Sequence, residues 1–321
     1  MTTLLDVARR AGVSKSTVSN VIRGAALVAE PTRLKVERAI ADTGYHPNAI
    51  ARALKARTSK AIGIVVPDLT NLFYAGLAVG VERAANALGY AVLATHTECS
   101  PATEAETGRA LIERQVDGVV IGGMSLGSTL PTVLLDRGIP VVLASLGEPD
   151  DLRLGAIDHD DEVAMEKIVE HLYELGHRRI AFMAQELQEQ SGERRRLAFT
   201  AALARRGLTP VDLMDGATAA VAHNDMQAIA TIDRLERKGL RVPEDVSVVG
   251  YDDVPLAAHH RIQLTTVRSD AVEMGRRAVE LVVGAARAGR PVAWRETQRN
   301  PLVVRRTTAK APADPSAGGS S

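Results

Sequence analysis

The chain has almost no cysteine: Cys99 is the single one among 321 residues. One thiol excludes an internal disulfide framework and leaves no Cys-x-x-Cys pair for zinc, which fits a reducing compartment. Also missing is any apolar run approaching the roughly eighteen residues that a membrane span needs, and no signal-peptide pattern opens the sequence, so a cytoplasmic protein is expected. No Gly-x-Gly-x-x-Gly follows a strand-like segment and no phosphate loop ends in Gly-Lys-Ser/Thr, which removes the common nucleotide cradles. The neighbours His259 and His260 diverge on a helix or a strand and do not chelate one metal readily. Neither a metal nor a cofactor is therefore expected.

What is present is ordinary in bulk and uneven in detail. Apolar residues at 45% and charged residues at 24% are globular values that do not separate an enzyme from a binder. The length implies two or three compact units. A formal net charge of zero hides an asymmetry: residues 1–60 hold eleven Lys or Arg against four acids, so the rest of the chain carries the opposite excess. The basic end should seek a polyanion.

That basic end reads as short helices divided by turn signals. Thr3-Leu4-Leu5-Asp6 has the pattern of a helix-opening capping box, Val7, Ala8 and Ala11 continue the helix, and Gly12-Val13-Ser14 breaks it, with Ser14 placed to cap a second one. The second helix carries Val18, Val21 and Ile22 on one stripe and Ser16, Ser19, Asn20 and Arg23 on the other. A third, from near Pro31 to Thr43, offers Leu34, Val36 and Ile40 to a small core. Small residues at Ala8 and Gly12, where two helices cross, and a polar face on the second helix describe a helix-turn-helix that reads base edges. Lys15, Ser16 and Asn20 are the candidate readers: lysine donates to guanine, asparagine pairs twice with adenine, and serine does either. Residues 47–60 follow as a linker of helical propensity too short to be stable alone in water.

From Ala61 the texture changes to β-branched runs alternating with amphipathic stretches. Strands are expected at 62–66, 91–95, 118–121, 141–144, 180–184, 219–222 and 246–250, and helices near 74–88, 103–114, 129–137, 162–175, 193–206, 225–238 and 271–288. Strand and helix in turn mean parallel sheets covered on both faces, and the length suits two lobes with a cleft between them, the first break falling near 150–160. The tail 309–321 has no apolar pattern and is expected to be disordered.

The motifs run in a series. Thr3-Leu4-Leu5-Asp6-Val7-Ala8-Arg9-Arg10-Ala11-Gly12-Val13-Ser14, then Ser16-Thr17-Val18-Ser19-Asn20-Val21, resembles the opening of the lactose-repressor and galactose-repressor family of transcription regulators. Gly44-Tyr45-His46-Pro47-Asn48 with Leu54 resembles the family hinge. Ile64 to Asn71, Leu175-Gly176-His177-Arg178-Arg179-Ile180-Ala181, Val242 to Asp253 and Leu264-Thr265-Thr266-Val267 are similar to landmarks of its effector domain. The likeness runs from residue 3 to about residue 306.

The resemblance implies an all-α helix-turn-helix headpiece (1–46), a hinge helix (47–60) and an α/β two-lobed, periplasmic-binding-protein-like effector and dimerisation domain with parallel sheets (61–308). It implies a homodimer on a pseudo-palindromic operator of double-stranded DNA, with operator affinity controlled by a small polar effector such as a sugar or nucleoside. Leu54 would be the apolar wedge in the minor groove, with Arg52 and Lys55 near phosphates or the groove floor. The expected DNA-binding set is Thr3, Ser14, Lys15, Ser16, Thr17, Ser19, Asn20, Arg23, Asn48, Arg52, Leu54 and Lys55. Around the effector the resemblance places Phe73 and Tyr74 as an aromatic wall with Asp160, Arg195, Asn224 and Asp252. Alignment on Phe199 selects Arg195, whereas alignment on Arg-Leu-Ala selects Arg196. Asp160 lies in the equally ambiguous run 158–161.

The sequence also departs from the family. Leu72 stands where proline is usual, and Asn20 where arginine is frequent. Leu208-Thr209-Pro210 is followed within about a dozen residues by the 219–222 strand, where the family carries a further strand and helix. A competing reading is a hydrolase: Gly123-Met124-Ser125-Leu126-Gly127 has the form of a nucleophile elbow, with Asp252 and His259 downstream in the right order. A solute-binding module without regulation is a third reading, which leaves the headpiece unexplained.

Overall fold

The computed structural model describes residues 2–22, 28–45, 58–184 and 189–313, and the chain divides into two compact units, 1–59 and 60–321. The expectations for Arg23, Asn48, Arg52, Leu54 and Lys55 lie outside the described residues. No described helix is long and apolar enough to cross a membrane.

The first unit is built from α1 (Leu4–Ala11), α2 (Lys15–Ile22) and α3 (Glu30–Thr43). Thr3 closes the start of α1: its hydroxyl accepts from the Asp6 N–H while the Asp6 carboxylate accepts from the Thr3 N–H. Gly12 ends the helix at φ 67°, a left-handed conformation that glycine adopts without a Cβ penalty. Ser14 then accepts from the Thr17 N–H at 3.1 Å and opens α2. Val7, Ala8, Val18, Val36 and Ala39 form the core. Leu34, expected in that core, is 58% exposed, and Ala39 takes the place it was given.

The second unit has two lobes. In the first, β1 (Ala61–Val66), α4 (Leu72–Ala87), β2 (Ala91–His96), α5 (Pro101–Glu113), β3 (Gly118–Ile121), α6 (Leu130–Asp136), β4 (Val141–Ala144) and β5 (Gly155–His159) alternate strand with helix until β5 follows β4 directly. The chain then passes to α7 (Asp161–Glu174), β6 (Ile180–Met183), α8 (Gln190–Ala204), β7 (Ala219–Ala222), α9 (Asp225–Glu236), β8 (Ser247–Val249) and β9 (Thr266–Val267) of the second lobe. It returns as α10 (Ala271–Ala288) and β10 (Arg295–Gln298), then ends against β9 as the antiparallel β11 (Leu302–Val303).

The larger sheet is parallel throughout, in the order β10-β5-β4-β3-β1-β2, and the smaller is parallel in the order β6-β7-β8. Parallel strands buried on both faces need apolar residues of both parities, which Ile62, Ile64, Val65 and Val66 supply. Ile62 and Ile64 share a core with Leu77 and Val81 of α4 and Met274, Val279 and Val282 of α10, whereas Val65 joins Leu111, Val119, Ile121 and Leu134 on the other face. Helices α4 and α10 meet at glycines: a Cβ on Gly80 would stand 2.1 Å from the Val272 carbonyl oxygen, and one on Gly275 would stand 2.4 Å from that of Leu77.

Three differences from the sequence reading are physical. The crossover falls at 159–161, because β5 still pairs with β4 and β10 in the first lobe. The tail is held as far as Ala311: the Ala309 carbonyl lies 3.0 Å from His177 Nε2, and the Ala311 N–H donates to the Leu175 carbonyl. In the short connection 205–218, Val211 makes one parallel bridge to Ala181 at the edge of β6, and Leu213 and Ala217 are buried. A single bridging residue stands where the family pattern predicts a full strand and helix.

Candidate effector site and DNA-reading face

The cleft forms where the C-terminal ends of parallel strands from the two lobes converge, the usual place for a ligand in an open α/β sheet, and in the larger sheet the order reverses at β1 and β3. It encloses about 930 Å³, lined by the turn after β1 from Pro67 to Asn71, by Tyr74, by His96, Glu98 and Cys99 after β2, and across the gap by Glu189, His223 and Asn224. At its base Phe73, Tyr74, Ser145, Glu189, Arg195, His223 and Asp252 border a recess of about 10 Å³, room for about one water or one ligand hydroxyl.

The aromatic wall rests on a cap. Asn71 accepts from the Phe73 N–H at 3.0 Å, starting α4 so that Phe73 and Tyr74 come next on its first turn. Their rings meet edge to face with centroids 5.3 Å apart, and both are buried. The Tyr74 hydroxyl donates to Glu189 Oε1 of the opposite lobe, and burial together with that carboxylate pushes the phenol well above its ordinary pKa. Ser125 bridges Glu189 through the backbone, and Gln190 Nε2 donates to the Leu146 carbonyl at 3.0 Å, so the lobes are pinned together.

Arg195 is the positive centre. It is 4% exposed, with Nε 3.2 Å from Asp161 Oδ1, Nη1 3.7 Å from Asp252 Oδ1, and its guanidinium 3.7 Å over the Tyr251 ring. Tyr251 in turn donates its hydroxyl to Asp161 Oδ1 at 2.9 Å. Arg194 spans Asp158 and Asp161 beside it, while Arg196 turns outward to Glu193. The structure thus brings Arg195 to the recess and leaves Arg196 outside it. Asp160 caps α7, accepting from the Val163 N–H at 3.0 Å, and lines a separate cavity of about 580 Å³ with Arg194 and Arg295. Asp161 is the carboxylate turned inward.

Asn224 caps α9 by accepting from the Gln227 N–H, and its Nδ2 lies 2.9 Å from His223 Nε2. Burial lowers the His223 pKa to about 4, so the ring is neutral, and a donor amide on Nε2 puts the proton on Nδ1. That Nδ1 is buried with no hydrogen-bond partner, as is Asp252 Oδ1. Asp252 follows β8 at φ 120°, a strained conformation for a residue with a side chain, and burial raises its pKa well above the ordinary value despite Arg195. Glu189 carries no motif in the sequence that would single it out, and Asp161 is one of the carboxylates that the run 158–161 leaves open.

Ser125 is accounted for differently from a nucleophile. Its hydroxyl donates to Glu104 Oε2 at 3.0 Å and its N–H to Oε1 at 2.7 Å, and among the described residues no histidine bonds to it. His259 stacks on His260 in an exposed turn, with ring centroids 4.5 Å apart.

In the headpiece, α2 buries Val18 and exposes Lys15 and Ser16, with Thr17, Ser19 and Asn20 half-exposed. Ser14 is exposed and its hydroxyl contacts those of Ser16 and Thr17 at 2.7 and 2.8 Å, and Thr3 is exposed at the start of α1. Of the polar stripe expected to read DNA, Ser16 is exposed and Ser19 and Asn20 are half-exposed on α2.

Comparison with known proteins agrees segment by segment. A model described as bacterial regulatory proteins of the lacI family matches residues 3–48. One for periplasmic binding proteins and the sugar-binding domain of the LacI family matches 59–218, and a periplasmic binding protein-like domain matches 169–308. The HTH-type transcriptional repressor PurR of Vibrio atlanticus is 31% identical over 334 positions, covering 97% of this chain and 99% of its own. Since 334 exceeds the 321 residues present, that relative carries residues which this chain lacks. Among solved structures, a lac repressor dimer bound to operator and an anti-inducer is 27% identical with a TM-score of 0.83, covering 96% of this chain and 99% of its own. A transcriptional regulator CelR in complex with cellobiose is 29% identical with a TM-score of 0.69, covering 96% and 100%. The chain belongs to the LacI family of bacterial transcription regulators.

Proposed function

We propose that this regulator represses transcription as a cytoplasmic homodimer on a pseudo-palindromic operator and releases it when a small polar effector, a sugar or nucleoside-like molecule, enters the cleft between its lobes. The observation that carries the effector reading is the meeting at one recess of a buried donor without a hydrogen-bond partner, His223 Nδ1, and a buried acceptor that no hydrogen bond satisfies, Asp252 Oδ1, which stands 3.7 Å from Arg195 Nη1. Leaving each such group unsatisfied costs on the order of 1–3 kcal/mol, a cost that ligand hydroxyls would remove. Phe73 and Tyr74 provide the apolar wall, Arg195 and Asp252 the charged pair, and Asn224 the amide. Asp160 serves this site from outside, by fixing the start of α7 one residue before Asp161.

The effector acts by differential affinity: it must bind one arrangement of the lobes more tightly than another, and that preference passes to the hinge segments that enter DNA. Leu54 is the wedge residue in that hinge, with Arg52, Lys55 and Asn48 at the backbone and Arg23 on the reading face. Similarity to a repressor crystallised with operator and an anti-inducer and to a regulator solved in complex with cellobiose supports the same two-ligand logic.

The test is fluorescence anisotropy of a palindrome selected from random DNA by the protein, across a salt series and with a panel of neutral sugars, sugar acids, amines, nucleosides and bases. Tight binding to the selected duplex that weakens steeply with salt, and a Kd raised by one member of the panel, is the expected result. Equal weak binding to selected and scrambled DNA would remove the reading.

A further inference from the structure

The charge around the cleft is one-sided. Among the described residues lining the main cavity there are Asp68, Glu98 and Glu189 and no Lys or Arg. The cation at its base is already matched: Arg195 meets Asp161 at 3.2 Å and Asp252 at 3.7 Å, and Arg194 next to it in sequence is held by Asp158 and Asp161.

Glu189 adds a further carboxylate at the centre of the cleft. Both hydrogen bonds that it accepts among the described residues, from the Tyr74 and Ser191 hydroxyls, fall on Oε1. Its Oε2 is left for something else. Asp252, 4% exposed, borders the same recess, and its Oδ1, 3.7 Å from Arg195 Nη1, has no hydrogen-bond partner. The neighbouring groups register this negative surrounding: burial and then Glu189 and Glu104 push the Cys99 thiol up to about 12, and Glu189 adds to burial in raising Tyr74. An anionic ligand entering here would meet the Glu189 carboxylate, whereas an ammonium group would form a charge-assisted hydrogen bond with its Oε2.

We infer that the effector is a polyhydroxylated molecule bearing a protonated amine, its ammonium held by Glu189 Oε2 and its hydroxyls by His223 Nδ1 and Asp252. This rests on the cleft being the effector site, and it narrows the ligand from polar molecules in general to amino sugars and similar cations.

The test is calorimetric titration of the full-length protein with matched triples built on glucose, galactose and mannose: the 2-amino sugar, the neutral sugar and the uronic acid. One amino sugar should bind about tenfold or more tightly than its neutral partner, the worth of one charge-assisted bond, with the acid weakest. Glu189→Gln should then erase the gap between amine and neutral sugar. A neutral or acidic member binding as tightly as the amine overturns the inference. So does silence from every triple while an uncharged or anionic member of the operator-release panel binds, and in both cases the cleft remains the effector site. A cationic amine from that panel, binding where its neutral analogue does not, supports the inference. Silence from triples and panel alike removes both readings.

Discussion

Arg195 Nε stands 3.2 Å from Asp161 Oδ1, both side chains more than nine-tenths buried, and this contact ties α8 to the first turn of α7 inside the second lobe. The same carboxylate oxygen accepts the Tyr251 hydroxyl, so one atom serves two elements. Removing one partner of a buried ion pair strands the other charge, which costs about 3–5 kcal/mol. Asp161→Asn should therefore lower unfolding free energy by about 3 kcal/mol. Arg196→Ala, whose guanidinium pairs outside with Glu193, should change it far less. Urea denaturation of the two variants measures the contrast, and equal losses would place the structural arginine elsewhere.

His159 makes stability depend on acidity in one direction. Burial lowers its pKa from 6.5 to about 3, with Arg195 adding to the shift. The folded state keeps the ring neutral while the unfolded chain takes up a proton below 6.5. Its contribution is therefore present above pH 6.5 and is lost as pH falls towards 3, with a slope of up to ~1.4 kcal/mol per pH unit. Asp225 acts oppositely: burial raises its pKa to about 7, so its contribution is full below 3.8 and fades as pH rises through 7. The difference between wild type and His159→Gln isolates the histidine. That difference should narrow steadily from pH 6.5 to 4 in chemical denaturation, and a difference independent of pH would contradict the assignment.

Much of this was legible in the sequence because the signals were periodic. The seven strands expected from β-branched runs all form; a parallel strand buried on both faces advertises itself as a short apolar block, and the edge strand Ala91–His96, with no buried residue, still carries one. The strands that sequence reading misses lack that block. Gly155–His159 ends in Asp and His, Arg295–Gln298 is polar at every position and pairs at the sheet edge with a strand about 140 residues earlier, and β9 and β11 are two residues long. The site shows the same division. Asp252 and Arg195 border one recess, Arg195 being one of the two arginines that the alignments leave open, but periodicity cannot tell which carboxylate in Asp158-His159-Asp160-Asp161 turns inward. Helix capping decides it: Asp160 takes the cap and Asp161, next on the turn, faces Arg195. Glu189 has no signal at all, because its role comes from contact with Tyr74, 115 positions away.

The crossing of α4 and α10 gives a prediction that separates two glycines on one helix. At Gly80 a Cβ would meet backbone, the Val272 carbonyl oxygen at 2.1 Å, whereas at Gly76 the nearest atom is the Ala271 Cβ at 3.3 Å. Backbone cannot rotate aside as a side chain does, so Gly80→Ala forces the helices apart and should cost about 3 kcal/mol. Gly76→Ala gains helix propensity of about 1 kcal/mol against a mild contact and should come out near neutral. Thermal melts of the two variants check the pair, and similar melting temperatures would mean that the helices do not approach this closely.

The reading face of α2 separates two kinds of contact. Asn20 lies one turn beyond Ser16 on the half-exposed side, opposite the buried Val18, and a bidentate amide-to-adenine pair is worth about 1–3 kcal/mol of base discrimination. Asn20→Ala carries no change of charge. It should raise Kd for the selected operator with little effect on scrambled DNA, and it should leave the slope of log K against log salt unchanged. Lys15→Ala removes a charge as well as a donor, so its slope should shrink by up to ~0.9 for one phosphate-equivalent contact, with weaker binding to both duplexes. Anisotropy titrations at several salt concentrations resolve the two patterns. An Asn20→Ala protein that weakens equally on operator and scrambled DNA would show that this side chain holds the headpiece on the backbone and reads no base.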